Sequence, residues 1–271
     1  MWNFMVDFFC GGGAGAITGA TVAVPEYMKV IRQANHKFII RRNLHRLLHE
    51  FPQLFKSIPN FSAIFSMTCA IEFSVNERIK QQIDPIAGIL SSAITGSAFL
   101  TLADHLMYRN CHYQQTFKVA LKDITSKGFF ALWAGFTPMV VREIFFISSV
   151  MHLGPYIGKV IQEFNKDSKD PYMLYSSTGR LLTGILTTFI SQPFDNIARR
   201  MQINLKRGES TTWRTILKQA HEEYEKSKLE SKGNKEFYPL WRGSVPRIGL
   251  ATVGGMMVGA IFDKLKSQVV P

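Results

Sequence analysis

Arg142 and Glu143 stand side by side within an apolar stretch that runs from about Phe136 to Ile157. A guanidinium and a carboxylate in the middle of a membrane-length segment are costly unless they face water, each other or a solute. A structural pair within one helix is the plain reading, and a solute site is the functional one. Arg247 and Arg180 also lie in apolar stretches, so an anionic ligand could meet several guanidinium groups, each able to bind carboxylate or phosphate as a planar fork. For Arg247, snorkelling to a lipid headgroup is the alternative. No enzyme chemistry competes with these readings. The seven histidines form no HExxH, no serine sits in a GxSxG elbow, and Cys10, Cys69 and Cys111 make neither a CxxC nor a zinc set.

The elements that must position these residues are apolar blocks. Hydrophobic residues make up 46% of the 271 and charged ones only 19%, below the roughly 25% of soluble domains. Six blocks approach the ~20 residues that a hydrocarbon core of about 30 Å requires. They run from about Val6 to Gln33, Ser57 to Arg78, Ile86 to Met107, Phe136 to Ile157, Tyr175 to Ala198 and Ser244 to Phe262. Gly11, Gly15 and Gly19, four residues apart, predict a close-packing seam on the first. A cleavable secretory signal is not expected, because no basic region precedes the first block and Asp7 interrupts its start.

The net charge of +12 sits between the blocks, where anionic headgroups explain it better than nucleic acid. Asn35 to Glu50 reads as a basic amphipathic surface helix, Phe117 to Lys127 as a similar one, and Asn204 to Phe237 as a longer polar segment.

The blocks repeat in pairs. Block five ends Gln192-Pro193-Phe194-Asp195-Asn196-Ile197-Ala198-Arg199-Arg200-Met201-Gln202, and block one ends Val24-Pro25-Glu26-Tyr27-Met28-Lys29-Val30-Ile31-Arg32-Gln33. Block three ends Leu102-Ala103-Asp104-His105-Leu106-Met107-Tyr108-Arg109. Gly15 precedes Val24 by nine residues, as Gly184 precedes Pro193. Further on stand Phe55-Lys56-Ser57, Trp133-Ala134-Gly135 and Trp241-Arg242-Gly243, at 33 residues from Val24 and Leu102 and 50 from Pro193. Phe262-Asp263-Lys264-Leu265-Lys266 closes block six.

Together these motifs resemble those of the mitochondrial carrier family over essentially the whole chain. Its odd helices end in Pro-x-Asp/Glu-x-x-Lys/Arg with a Gln four residues later, here Gln33 and Gln202. An aromatic-basic-glycine element precedes each even helix, which ends in Phe/Tyr-Asp/Glu-x-x-Lys/Arg. The resemblance implies an all-α membrane protein of six transmembrane helices in three pseudo-symmetric repeats, each with a short amphipathic matrix-side helix. The repeats would be 1–84, 85–167 and 168–271 of one membrane domain.

It also implies gates. Glu26, Lys29, Asp104 and Asp195 belong to the matrix-side set, and Glu77, Lys80, Asp263 and Lys266 to the cytoplasmic set. In the family's pairing order Asp195 meets Lys29 and Asp263 meets Lys80. Asp104 would face Ala198, and Glu77 and Lys266 would lack partners, so the gates are expected to be weak. The family's substrate contacts fall on Ile64, Arg142-Glu143 and Leu250, with Arg247 one turn from the last.

An Arg-acid pair at that position resembles amino-acid-type carriers, so a transporter of a small zwitterion across the mitochondrial inner membrane is expected. A nucleotide or other phosphorylated anion is the alternative solute, a carrier-like receptor or scaffold the alternative class, and another organelle membrane the alternative location. No cofactor or metal is expected beyond cardiolipin, which the resemblance places at Trp133, Gly135, Trp241, Arg242 and Gly243. The partners are then a small solute and lipids, with no nucleic acid, and the protein is expected to be monomeric.

Overall fold

The computed structural model describes residues 2–34, 40–113, 115–165, 172–230, 239–241 and 244–269; side chains 2, 22–58, 60, 61, 111–113, 172, 173, 227, 229, 230, 245, 246 and 250 fall outside that description. Every long element among the described residues is a helix. In chain order they are α1 (Trp2–Ala34), α2 (Ile40–Gln82), α3 (Pro85–Tyr113), α4 (Phe117–Thr125), α5 (Phe136–Ile147), α6 (Gly154–Phe164), α7 (Tyr172–Arg207), α8 (Trp213–Glu230) and α9 (Ser244–Val269). A 3₁₀ turn at Phe129–Trp133 leads into α5, and a π-helical turn at Ser148–Leu153 joins α5 to α6. The packing closes a ring: α1 on α2, α2 on α3, α3 on α5, α5 and α6 on α7, α7 on α9, and α9 back on α1.

The ring buries many polar and charged side chains and exposes large apolar ones. Thr68, Glu72, Ser97, Thr101, Asp104, Glu143, Thr188 and Arg247 are buried, while Phe9, Ile86, Ile94, Leu182, Leu186 and Phe189 are exposed. Such an inversion suits hydrocarbon as the surrounding solvent. Three stretches, Pro85–Asn110, Phe129–Phe164 and Arg247–Val269, are long and apolar enough to cross a membrane among the described residues.

The glycine seam of α1 lies against α2, where a Cβ on Gly15 would come 2.8 Å from the Phe65 carbonyl oxygen and 2.9 Å from Cys69 Cβ. With side chains absent, the backbones approach closely enough for hydrogen bonds from Ser62 Oγ to the Ala16 carbonyl (2.6 Å) and from Ser66 Oγ to the Gly12 carbonyl (2.8 Å). Below the seam Val6, Cys10, Cys69, Phe73, Val258 and Phe262 form an apolar cluster that ties in α9, with Phe73 and Phe262 edge to face at 4.7 Å.

The structure departs from the sequence expectation in two places. From Ile40 onward the surface segment and the second block are not separate helices, because α2 continues through Ser57; residues 35–39 lie outside the described residues. Gly135, which the motif spacing aligns with Ser57, has φ +90° and separates the 3₁₀ turn from α5. Serine does not readily take that conformation, and the backbone at Ser57 stays helical. The fourth block, expected to end near Ile157, instead widens into the π turn and continues to Phe164. In that turn the Gly154 amide donates to the Ser149 carbonyl, the five-residue spacing of a π-helix. The same spacing would pair the Val150 carbonyl with residue 155, a proline with no N–H. Arg180 Nε of α7 donates to Val150 instead, at 2.9 Å.

A Gly15→Leu substitution should lower the unfolding temperature of the detergent-solubilised protein, with a cost of roughly 1–3 kcal/mol for forcing extra atoms into a packed seam. Gly12→Ala should not, because its nearest contact outside α1 would be 3.5 Å away.

Candidate functional site

Five helices of the ring meet at a central cavity of about 130 Å³. Ile64, Thr68 and Glu72 enter from α2, Asp104 from α3, Arg142 and Glu143 from α5, Arg180 from α7 and Arg247 from α9. The helical period explains the α2 wall, since residues four apart share a face. Of the solute contacts expected from the sequence, the cavity brings together Ile64, Arg142, Glu143 and Arg247. Leu250 lies outside the described side chains.

Arg142 is the electrostatic centre of this cavity. Its Nε donates to Glu143 Oε1 at 2.6 Å, its Nη2 reaches the same oxygen, and its Nη1 donates to Asp195 Oδ1 at 2.8 Å. Arg247 Nε lies 3.9 Å from Asp195 Oδ2, and its Nη1 donates to Gln192 at 3.1 Å. Asp195, expected at a gate, is therefore joined to the cavity arginines. Its expected partner Lys29, together with Glu26 and Gln33, lies outside the described side chains. Arg180 lines the cavity but commits two nitrogens elsewhere: its Nε donates to the Val150 carbonyl and its Nη2 pairs with Asp263 at 2.7 Å.

Two further charge groups flank the cavity, and both differ from the pairing expected of them. At one end Asp104 does not go without a base. Arg199 Nη2 donates to it at 2.8 Å, while Arg199 Nη1 donates to Gln202 at 3.2 Å and the guanidinium lies over the Tyr108 ring. Position 198 holds alanine because it faces Gly135 at close range, where even a Cβ on the glycine would sit 3.1 Å from that of Ala198. The base is displaced by one residue rather than lost. At the other end Asp263 pairs with Arg180 rather than Lys80. Lys266 instead bridges Asp7 (2.9 Å) and Glu77 (3.0 Å), and Lys80 lies 3.5 Å from Glu77. Glu77 and Lys266 thus join α2 to α9.

Of the residues expected to hold lipid, Trp133 donates its indole N–H to the Ala98 carbonyl at 2.8 Å, which fixes the 3₁₀ turn on α3. Gly135 packs on α7, Trp241 sits among residues of the α7–α8 cluster, and Arg242 and Gly243 lie outside the described residues.

Sequence reasoning did not single out Glu72, Arg199, Asp7 or the tether around Asp123. A carboxylate eight residues beyond Ile64 in an apolar block was the available signal for Glu72. Asp123 of α4 accepts from Arg109 Nη1 at 2.9 Å and Lys206 Nζ at 2.8 Å, which fastens the surface helix to α3 and α7. The Lys206 hydrogen bond holds its carboxyl below the ordinary carboxylate range, reinforced by the charges of Arg109, Lys206 and Lys127 against partial burial.

No family model matches the chain. It is 28% identical to the tricarboxylate transport protein of Saccharomyces cerevisiae over 149 residues, covering 52% of this chain and 44% of that one. It is 23% identical to the mitochondrial glutathione transporter SLC25A40 of Xenopus tropicalis over 137 residues, covering 47% of this chain and 40% of that one. Both relatives are transporters. The matched segments span less than half the length of either.

Because the Asp123 carboxyl is held low in the folded state, its tether is intact above the unfolded value of about 3.9 and is lost as pH falls through the lower folded value. The stability difference between wild type and Asp123→Asn should therefore be constant from pH 7 to about 5 and vanish in stronger acid, as read by thermal unfolding. No difference between the two proteins at any pH would show the tether to be unimportant, and one that grows on acidification would show the carboxyl to be raised rather than lowered.

Proposed function

We propose that this chain is a transmembrane transporter that moves a small polar solute across the mitochondrial inner membrane by alternating access through the central cavity. The observation that carries the reading is Arg142, held with Glu143 inside a cavity that charged side chains from five helices share, in a ring that exposes large apolar side chains. In this reading the rods α1, α2, α3, α5 to α6, α7 and α9 are the six spans of three repeats. The ion groups around Asp104 and Lys266 close the two ends. Such pairs can open and reform in a wet vestibule at modest cost, whereas charges facing lipid could not.

An amino acid or related zwitterion is the solute that the cavity favours. Among the described lining residues, Arg142, Arg180 and Arg247 are balanced by Glu72, Asp104 and Glu143. A polyanion such as a nucleotide would find that balance unfavourable, and Arg180 is already engaged by Val150 and Asp263. A carboxylate on the solute fits Arg142, and tricarboxylates, named for the yeast relative, also carry that group.

The test is uptake of labelled amino acids, nucleotides and carboxylates into liposomes holding the pure protein, with and without counter-substrate. Amino-acid uptake should appear, and Arg142→Ala should reduce it by at least about tenfold, the smaller effect expected when a hydrogen bond to a charged group is lost. Absence of uptake across the panel by folded protein would support a receptor or scaffold instead. Uptake undiminished in Arg142→Ala would put the solute elsewhere.

A further inference from the structure

Arg180 of α7 is 3% exposed, yet it lines the central cavity. Two of its nitrogens are fixed: Nε by the Val150 carbonyl at 2.9 Å and Nη2 by Asp263 at 2.7 Å. The third, Nη1, is buried and has no hydrogen-bond partner among the described residues. Glycines admit the side chain to this place. A Cβ on Gly259 of α9 would lie 2.7 Å from Arg180 Cζ, and one on Gly154 of α6 would lie 2.5 Å from Arg180 Cγ.

Such a group differs from Arg142 in what it offers. Asp263 answers the charge of Arg180, and two hydrogen bonds hold the planar guanidinium, so Nη1 is a fixed single donor rather than an open anion fork. A buried donor left unmet is penalised by more than an ordinary hydrogen bond returns, so the cavity favours a solute that brings it an acceptor.

Arg142 and Arg180 serve different ends of the cavity. Val150, which Arg180 holds, stands eight residues beyond Arg142, about 12 Å at 1.5 Å per residue. Asp195, which holds Arg142, stands fifteen residues beyond Arg180 on α7, about 22 Å of helix, of which the reach of the side chains closes only a part. One carboxylate cannot take both groups. Allowing a hydrogen bond of about 2.9 Å at each end of the 12 Å leaves roughly 6 Å between the two solute oxygens.

We propose that Arg180 is a specificity-determining residue of the solute site, its Nη1 donating to an uncharged oxygen that the solute carries roughly 6 Å from the carboxylate taken by Arg142. The inference rests on the transporter reading above and narrows the solute to a zwitterion whose side chain ends in a carboxamide, carbonyl or hydroxyl. An uncharged acceptor suits the place because a second carboxylate would face Asp263 across a single guanidinium. A solute without the oxygen leaves Nη1 unmet, which is how a buried polar group rejects an analogue that lacks its partner.

The experiment measures initial uptake by the full chain in liposomes of three labelled amino acids of one carbon-chain length, at equal low concentration. Glutamine carries the uncharged oxygen, norvaline lacks it, and glutamate replaces it with a charge. Wild type should take up glutamine faster than norvaline by at least about fivefold, the smallest factor expected of one unmet buried donor, and faster than glutamate. In Arg180→Gln the ratio of glutamine to norvaline should fall to about one. A purely structural role would slow both solutes alike and preserve the ratio, which overturns the inference. If that variant does not fold, Gly259→Ala, which displaces the guanidinium, is read in the same way, and an unchanged ratio again overturns it. Wild type that treats glutamine and norvaline alike, prefers glutamate, or takes up other solutes but none of these three overturns the inference and leaves the transporter reading intact. Absence of uptake across the wider panel by folded protein overturns the transporter reading and the solute contact with it.

Discussion

The cost of keeping ionised groups away from water governs this structure, and the Arg142 guanidinium is where that cost is met. Two carboxylates from different helices, Glu143 and Asp195, converge on it. Removing one partner of a buried pair leaves the other uncompensated, typically at a cost of about 3–5 kcal/mol. The helices α5 and α7 are thereby held in register, and Arg247 draws α9 to the same point. The other charge groups follow the same logic. Asp104 with Arg199 holds α3 to α7, and Lys266 between Asp7 and Glu77 holds α9 to α1 and α2. A bundle with a dry apolar centre would need none of these contacts, so their presence is tied to the cavity they surround.

The sequence carried much of this arrangement. Four-residue spacing of Gly11, Gly15 and Gly19 placed the α1–α2 seam, and the oddity of Arg142 beside Glu143 in an apolar block pointed to the cavity. What it did not carry were facts of rotation about a helix axis. Arg199 pairs with Asp104 although the motif count points to residue 198, because Ala198 is committed to the close contact with Gly135. Counting one contact position per helix also passed over Glu72, which shares the face of Ile64 and Thr68 two turns further along. The π turn at Ser148–Leu153 was hidden for a related reason, since the residue that answers its orphaned carbonyl, Arg180, is 30 positions away in the chain.

Arg180 shows how a proline within a long helix can be tolerated in a membrane. Pro155 removes a donor, the turn widens, and a guanidinium from a neighbouring helix restores the hydrogen bond while its other end pairs with Asp263. One side chain thus connects α7, the π turn and α9. Two of its three guanidinium nitrogens are committed in this way.

The uninterrupted run of α2 through Ser57 has a consequence of scale. Its 43 residues correspond to a contour of about 65 Å at 1.5 Å per residue, roughly twice the thickness of a bilayer's hydrocarbon core. The helix is thus far longer than a single crossing requires, and its whole length is continuous with the wall that carries Ile64, Thr68 and Glu72. A displacement of its N-terminal half would reach the cavity wall along one unbroken helix, whereas Gly135 interrupts the chain between the 3₁₀ turn and α5.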